Sequence, residues 1–556
     1  MTDTPSRRLR PSATVRASLT AAAAALILGA CTTAEPAPTP DDSPTQPGAA
    51  SAAPPGPALG GYGVSAGHPL AAEAGDLMLE RGGSAVDAAI AAAFADAVMQ
   101  PASSGIGGGG VSIVVGDGEA TNYEYREVVN QAGQIPDGGA GIPGFVAGME
   151  RLHRDHGNLP WADLLAPAIK IADEGGPVSR YLASSINSPY GQDITGALPQ
   201  FRRADGTPLQ EGDTLVQADL AETMRNLAEE GAGSFYTGTL AQTLAQTPGI
   251  DHESLAAYQV DTFEPASGPV GRYTMLSGAP ALPGAAIIQM VQIAEAAGIA
   301  DVDPDSPEFV DLLSRAWQVA DTSVQQHFGD PRYVNVPVDR LTDPGQNAQI
   351  AATLVDAAQA SKRSAAQGGY ESAPNTTHIS VIDADGTAVS MTNTITNYWG
   401  SGQYVAGFFL NDQLERFSDI GAMSANLPEP GRRSVTWSSP SMLLDDQGRP
   451  VLVIGTPGGR QIPSTTANVV VRWALHRQSL EDAVRAGRFI LTDGQLRLET
   501  RGLADPMAAL GYDVVVSDQA ELANYGSVQA LAVDWDEGKV TSFADERRSA
   551  GFVVGR

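Results

Sequence analysis

Residues 375–395 read NTTHISVIDADGTAVSMTNTI, and this stretch carries the strongest structural signal in the chain. Polar and apolar residues alternate with a period of two on both sides of an Asp-Gly pair, a pattern typical of a β-hairpin. If the turn is centred in Asp383–Gly386, residues whose numbers sum to about 769–771 face each other across the two strands. Thr394 is then expected directly beside Thr376, opposite one of its two neighbours. A one-residue slip would change the facing, so the prediction concerns proximity only.

Threonine hydroxyls placed in this way can carry out acyl transfer under one condition. A nucleophilic hydroxyl needs a base within reach, and an N-terminal threonine supplies its own, because its α-amine titrates near pH ~7.7–8.0. Thr376 has no such amine unless the chain is cut directly before it. The competing interpretation is structural, because threonine favours strands. Spacing alone favours the structural interpretation for the five residues Thr376, Thr377, Thr392, Thr394 and Thr396.

On either side of the hairpin, helical and strand periodicities follow one another. Gly82-Gly83 separates two helical stretches, and Ser84 is a candidate N-cap with Asp87 three residues later. A glycine run, Gly107–Gly110, leads into the strand VSIVVG. These patterns predict a mixed α/β fold with helical layers around a central antiparallel core. Helices are expected at Pro69–Arg81, Ser84–Met99, Ala147–Asp155, Trp161–Glu174, Gln217–Glu229, Pro283–Ala297, Pro307–Gly329 and Ser464–His476, and further strands at Tyr404–Leu410, Ser441–Leu444 and Val451–Ile454.

Composition excludes several classes of function. The 556 residues suggest two to four domains by length, and a formal net charge of −30 argues against a nucleic-acid-binding surface. Cys31 is the only cysteine, so disulfides within one chain and cysteine-rich metal sites are excluded. The seven histidines have no ligand-like spacing, so we predict no metal site and no cofactor.

The N-terminal residues 1–30 are predicted to be a targeting segment. A basic stretch with four arginines up to Arg16 precedes the apolar run Leu19–Leu28, which is too short to span a bilayer. The run ends in Leu-Gly-Ala-Cys, which looks like a bacterial lipobox with Cys31 as the lipidated residue. Residues 31–60 are rich in Pro and Ala and are expected to form an extended tether. We therefore expect an exported protein on the outer face of the cytoplasmic membrane, or in the periplasm or outside the cell, held only by its lipid.

The hairpin sequence resembles the segment that opens the small subunit of γ-glutamyltranspeptidases, which are N-terminal-nucleophile hydrolases. Further pieces resemble the same family in the same order: GGSAVDAAIAAAFADAV, SGIGGGGVSI, YEYRE, GIPGFVAGMERL, HFGDPRYV, FFLNDQ and GTPGG. The resemblance extends from about Gly61 to Arg556. It implies a four-layer αββα fold in which residues 61–375, the large subunit, and 376–556, the small subunit, form one intertwined catalytic unit.

The resemblance also implies a catalytic centre. Thr376 would be the nucleophile, released when the chain cleaves itself between Asn375 and Thr376, and Thr394 would orient it. Gly458-Gly459 matches the oxyanion-hole pair of the family. A strand runs into these glycines, where missing side chains let N–H groups approach an oxyanion, each typically worth roughly 3–4 kcal/mol. Taken alone, a Pro-Gly-Gly run is more often a plain turn.

The acyl pocket departs from the family pattern. Arg126 matches the arginine that holds the substrate α-carboxylate, although a structural Arg126–Glu127 salt bridge is the alternative. Gln413 matches a residue near the α-amine, but the asparagine beside it becomes Thr396. Arg416 replaces the aspartate that pairs with the α-ammonium, and a serine pair becomes Thr436-Trp437.

Two explanations of this divergence are open, and we prefer the second. Glu415 could take over the ammonium contact, or Arg416 could bind a second carboxylate of an acyl group that lacks a free α-amine. The expected function is hydrolysis or transfer of γ-glutamyl amides such as glutathione through an acyl-Thr376 intermediate, with water, an amino acid or a peptide as the acceptor. The alternatives are a glutaryl or cephalosporin acylase, an amidase acting on poly-γ-glutamate, and an inactive surface-anchored binding protein.

Overall fold

Two antiparallel β-sheets face each other in the computed structural model, which describes residues 59–116, 118–357, 375–419, 425–518 and 523–556. The predicted signal segment, Cys31 and nearly all of the tether lie outside these residues. The strands are β1 (Tyr62–Ala66), β2 (Gly109–Gly116), β3 (Glu119–Glu124), β4 (Gly176–Pro177), β5 (Thr214–Leu215), β6 (Asp261–Phe263), β7 (Ala266–Val270), β8 (Tyr273–Ser277), β9 (Thr377–Ile382), β10 (Ala388–Thr394), β11 (Tyr404–Val405), β12 (Phe408–Phe409), β13 (Ser441–Leu444), β14 (Pro450–Gly455), β15 (Phe489–Thr492), β16 (Gln495–Leu498), β17 (Asp513–Val516), β18 (Gln529–Asp534), β19 (Lys539–Ser542) and β20 (Gly551–Gly555).

The first sheet has the strand order β20-β1-β9-β10-β2-β3-β6, and the second has the order β19-β18-β14-β13-β8-β7. In both sheets, strands from before and after Thr376 are hydrogen-bonded neighbours. The β9–β10 hairpin lies in the middle of the first sheet, between β1 and β2. Its register pairs Thr377 with Asn393 and Val381 with Val389, so the facing numbers sum to 770, within the predicted range.

The described part of the chain has long helices on the outer faces of both sheets and short ones in the connections between strands. They are α1 (Pro69–Glu80), α2 (Ala85–Met99), α3 (Phe145–His156), α4 (Trp161–Glu174), α5 (Arg180–Asn187), α6 (Pro189–Thr195), α7 (Ala218–Glu230), α8 (Gly233–Tyr236), α9 (Thr239–Leu244), α10 (His252–Ala256), α11 (Gly284–Ala296), α12 (Pro307–His327), α13 (Val338–Leu341), α14 (Pro344–Ala357), α15 (Arg416–Asp419), α16 (Ile462–Val470), α17 (Leu480–Arg485) and α18 (Ala504–Ala509). One apolar core joins α1–α4 and α7 to the first sheet, and a second joins α11, α12, α14 and α16 to the second sheet. A third core fills the space between the sheets. The layers are therefore helix, sheet, sheet and helix, which confirms the predicted fold class.

The local signals for helix α2 are confirmed. The Ser84 side chain accepts from the Asp87 N–H while the Asp87 carboxylate accepts from the Ser84 N–H, which is a complete capping box. All fifteen residues of this Ala-rich helix are buried. The hairpin turn caps the same end, since Asp383 Oδ2 accepts from the Ala85 N–H at 2.9 Å. The end of α2 is thus tied to the central hairpin.

One predicted strand is wrong. Tyr404–Leu410 was expected to run as a single strand, but the chain turns back between β11 and β12, which pair with each other. The turn residues Ala406 and Gly407 have φ values of 48° and 90°. Two consecutive positive φ values make the tight turn that suits a two-residue hairpin. The apolar pattern of this segment is the same for one strand or for two short ones.

The described residues from Leu59 to Arg556 belong to one compact unit, which contains both sheets. None of the described helices has the length and apolar character needed to cross a bilayer. The proposed boundaries at residues 30, 60 and 375 stay predictions.

Candidate active site

The predicted nucleophile, Thr376, directly precedes β9 and lies on the face of the first sheet that is directed toward the second sheet. The register that pairs Thr377 with Asn393 places Thr394 opposite Thr376 itself, and not opposite one of its two neighbours as predicted. The Thr376 hydroxyl donates to Thr394 Oγ1 at 3.2 Å, so the predicted proximity is confirmed. Both side chains are buried. The φ of Thr376 is 111°, which is an outlier for a β-branched residue. Such strain is found where the surrounding structure imposes it, often at functional sites.

The carbonyl group of the bond predicted to be cut touches the predicted oxyanion hole. The Gly458 N–H donates to the Asn375 carbonyl oxygen at 3.3 Å. Gly458 and Gly459 have φ values of 139° and 57°, which L side chains rarely adopt. Both positions therefore need glycine for the backbone to adopt the conformation in which the Gly458 N–H is directed at the Asn375 carbonyl. Of the two, Gly458 makes the contact, while Gly459 begins a 3-10 turn.

The side chain of Asn375 is also held. Its amide nitrogen donates to the carbonyl oxygen of Ala102 and, at 2.8 Å, to that of Asn397. Neither acceptor belongs to a motif that the sequence singled out. Ala102 follows α2, and the connection from β10 to β11 contains Asn397.

Hydrogen bonds link the nucleophile to the predicted acyl pocket. The Thr396 N–H donates to Thr394 Oγ1 at 2.8 Å, and the Thr396 hydroxyl donates to Gln413 Oε1 at 2.6 Å. Gln413 Nε2 donates to Ser434 Oγ at 2.8 Å, and the Ser434 carbonyl accepts from Arg126 Nη1 at 2.7 Å. The structure thus brings together Thr394, Thr396, Gln413 and Arg126. Ser434 was not predicted as a site residue, because the family's serine pair was matched to Thr436-Trp437, two residues further along the chain.

Arg126 has a different partner from the one expected. Its Nε and Nη2 donate to the two carboxylate oxygens of Glu124 at 2.8 and 3.0 Å, and both side chains are buried. Residues two apart on an extended segment share a face, so Glu124 rather than Glu127 meets the guanidinium. The alternative prediction, a salt bridge between Arg126 and Glu127, is therefore wrong, because the partner of Arg126 is Glu124. With the bond to Ser434, these contacts use three of the five guanidinium N–H groups, so a substrate carboxylate would meet the other two or displace Glu124.

Arg416 lies against the same part of the site. Its Nη2 donates to Asn397 Oδ1 at 2.9 Å. Asp412 accepts from the Asn397 N–H at 2.9 Å and from Asn397 Nδ2 at 2.6 Å. Burial raises the pKa of Asp412 to about 6, while the Asn397 donors and nearby Arg416 favour its charged form. Asp412 and Arg416 thus flank Asn397 with opposite charges.

The two remaining predicted substrate-binding residues are Thr436 and Glu415. Thr436 is buried but is not part of the hydrogen-bond chain. Glu415 lines a cleft of about 1760 Å³ that also reaches Asn397 and Asp412. Tyr181, Tyr398 and Arg548 also line the cleft. Thr376, Gly458 and Arg126 are not among the residues that line this cleft, so it adjoins the site at Asn397 and Asp412.

His378 connects the nucleophile strand to the oxyanion strand. Its ring contacts Thr392 Oγ1 at 2.8 Å and Ser380 Oγ at 3.2 Å, between the two sheets. A Cβ atom on Gly455 would lie 2.2 Å from this ring. Burial lowers the pKa of His378 to about 3, so the ring is neutral. It therefore acts as a hydrogen-bonding spacer directly behind the site.

Within the described residues, no group of three or more His, Cys, Asp or Glu side chains is placed to hold a metal ion.

Comparisons with known proteins agree on one family. A family model described as gamma-glutamyltranspeptidase matches residues 71–554. The capsule biosynthesis protein CapD proenzyme of Bacillus anthracis is 34% identical, covering 88% of this chain and 90% of that protein. The glutathione hydrolase proenzyme of Pseudomonas aeruginosa is 34% identical, covering 89% and 94%. A solved structure, the cephalosporin acylase from Bacillus halodurans, shares the fold with a TM-score of 0.79 at 23% identity, covering 92% of this chain and 98% of that chain.

Proposed function

Because the chain belongs to the γ-glutamyltranspeptidase family, we propose that it cleaves itself before Thr376 and then hydrolyses or transfers γ-glutamyl-type amides. The observation that carries this proposal is the position of the Asn375 carbonyl. It accepts from the Gly458 N–H, while the Thr376 hydroxyl is held by Thr394. Nucleophile, carbonyl and oxyanion donor are therefore together in one place.

Self-cleavage needs no group from outside except water. The Thr376 oxygen attacks the Asn375 carbonyl carbon as its hydroxyl loses a proton, and the developing oxyanion is stabilised by the Gly458 N–H. The C–N bond then breaks as its nitrogen takes up the proton that the hydroxyl lost. This leaves an ester between Asn375 and the Thr376 oxygen. Water hydrolyses the ester, which produces a free carboxylate on Asn375 and a free α-amine on Thr376.

The released α-amine then serves in catalysis. It accepts the hydroxyl proton of Thr376 as the oxygen attacks a substrate amide, and the proton passes to the leaving amine. The acyl group remains on Thr376 as an ester. Water or an amine acceptor removes it, which gives hydrolysis or transfer.

A denaturing gel with N-terminal sequencing tests this proposal. We expect the purified protein to give two fragments, the smaller beginning at Thr376. Thr376→Ala should stay uncut and lose at least about 10³-fold in activity on γ-glutamyl anilides, because it has neither the nucleophile nor the base. Thr541→Ala, at an exposed threonine, is the matched control and should behave as wild type. An uncut protein that still hydrolyses amides would refute the proposal, and a cut protein without amidase activity would favour the binding protein.

A second candidate substrate is a glutaryl-type amide, which lacks the α-amine. The observation that favours it is Arg416, which stands where an ammonium partner was expected and touches Asn397. The kcat/KM ratio for γ-glutamyl and glutaryl anilides separates the two candidates.

We further propose that the protein is exported and anchored through lipid on Cys31. The support is the basic and apolar stretch that ends at this cysteine. Fractionation of cells tests it: Cys31→Ser should move the protein from the membrane fraction to the soluble one, and an unchanged distribution would refute the anchor.

A further inference from the structure

The oxyanion loop, residues 456–461, connects β14 to α16 and carries the Gly458 N–H. Its first half is fixed by a buried contact, in which Thr456 Oγ1 accepts from the Ser527 N–H at 3.2 Å. Its second half is the 3-10 turn Gly459–Gln461, and none of these three residues is fully buried. Apolar packing therefore contributes little to fixing the second half of the loop.

Arg460, in the middle of this turn, connects the loop to three other parts of the molecule. Its Nη2 donates to Asp321 Oδ2 at 2.9 Å, and its Nη1 donates to Asp493 Oδ1 at 3.3 Å. Asp321 lies on α12, and Asp493 lies in the turn between β15 and β16. The guanidinium carbon of Arg460 also lies 5.8 Å from the ring centroid of Trp437, within the range of a cation–π contact.

The partners of Arg460 are also joined to one another. Trp317 lies on α12 one turn before Asp321, so these two side chains share a face of the helix. The Trp317 ring packs edge-on against Trp437, with centroids 5.9 Å apart, and its Nε1 donates to the Leu491 carbonyl in β15 at 3.0 Å. The two indole rings and Leu491 belong to the core of the second sheet. Arg460 thus ties the exposed turn to a frame that is itself closely packed.

We propose that Arg460 is a positioning residue for the oxyanion hole. The Gly458 carbonyl accepts from the Gln461 N–H at 3.1 Å, so Gly458 and Arg460 belong to one hydrogen-bonded turn. A planar guanidinium that bridges two carboxylates fixes the orientation of that turn as well as its position. Arg460 therefore acts through the direction of the Gly458 N–H. This inference rests on the proposed function, since the same N–H stabilises the oxyanion in self-cleavage and in substrate turnover.

Kinetics of Arg460→Ala test the proposal. Because a displacement of about 1 Å can cost 10²-fold in rate, we expect self-cleavage to slow by about 10- to 100-fold. After cleavage is complete, kcat on γ-glutamyl p-nitroanilide should fall by a similar factor. KM should change by less than about 3-fold, because the oxyanion exists in the transition state and not in the bound substrate. Arg460→Lys should recover part of the lost kcat, since its ammonium keeps the charge but cannot hold both carboxylates in the same geometry.

Arg449 offers a matched control at the other end of β14. Its Nε donates to Asp445 Oδ2 at 2.8 Å, and its guanidinium carbon lies 4.9 Å from the ring centroid of Trp535. Arg449→Ala therefore removes an ion pair and a cation–π contact of the same kind, away from the oxyanion loop. We expect this variant to cleave itself and to turn over substrate at wild-type rates.

Asp321→Asn tests the other partner while keeping the shape of the side chain. It should lower kcat as well, and adding it to Arg460→Ala should lower kcat no further, because the two groups act as a pair. If Arg460→Ala does not fold, Asp321→Asn and Arg460→Lys decide by the same criterion. Wild-type kcat and cleavage rates in these variants, or a raised KM with unchanged kcat, would overturn the positioning role. A wild-type protein that stays uncut and inactive would instead refute the proposed function.

Discussion

Glu127 differs from the other carboxyl groups near the site because it is fully buried and neither of its oxygens accepts a hydrogen bond from another described residue. It follows Arg126 in the chain, but that guanidinium binds Glu124 instead. Burial raises the pKa of Glu127 from 4.5 to about 8. The folded protein therefore keeps this group neutral at pH values where the unfolded chain ionises it.

We predict that Glu127→Gln makes stability less dependent on pH. Between pH 4.5 and about 8 the folded state binds more protons at Glu127 than the unfolded state, so the free energy of unfolding falls as pH rises, by at most about 1.4 kcal/mol per unit. Glutamine has no proton to lose. Urea unfolding at pH 5 and pH 8 should show a smaller decrease in the variant than in wild type, while Glu119→Gln, at an exposed position, should match wild type. An unchanged decrease in Glu127→Gln would contradict the buried neutral carboxyl.

Strands β9 and β14 belong to different sheets, yet they carry the two halves of the site. Thr376 precedes β9, and the loop to Gly458 follows β14. The ring of His378 fills the space between them above Gly455. The spacing of the two sheets at this point therefore sets how far the oxyanion donor lies from the nucleophile.

We predict that Gly455→Ala slows self-cleavage and destabilises the fold by about 1–3 kcal/mol, because its Cβ would lie 2.2 Å from the His378 ring and would push the two strands apart. Gly502→Ala, where a Cβ would meet no atom within 4 Å, should change stability by less than about 0.5 kcal/mol. Thermal unfolding and a time course of fragment formation measure both effects. Cleavage of Gly455→Ala at the wild-type rate would show that sheet spacing does not control the site.

At the scale of the whole molecule, the two predicted fragments are interleaved. In the first sheet, β9 and β10 lie between β1 and β2, and β20 pairs with β1. In the second sheet, β13 pairs with β8. The fragments share both sheets and the apolar cores around them, so separating them would expose the interior to water.

We predict that the cleaved fragments stay together in native conditions. Size-exclusion chromatography of the processed protein should give one peak at the position of the Thr376→Ala precursor, and a denaturing gel of that peak should show both fragments. Fragments that elute apart without denaturant would contradict the interleaved sheets.

The amino-acid sequence by itself determined the central hairpin, its register to within one residue, the capping box of α2 and the bounds of most long helices to within a few residues. These features depend on the backbone preferences and periodicity of nearby residues. Only the tertiary structure decided which groups meet at the site. Arg126 binds Glu124, Ser434 joins Gln413 to Arg126, and Asn375 reaches Ala102 across 273 positions of the chain. Such contacts depend on how the two sheets pack, and no local pattern of residues specifies that packing.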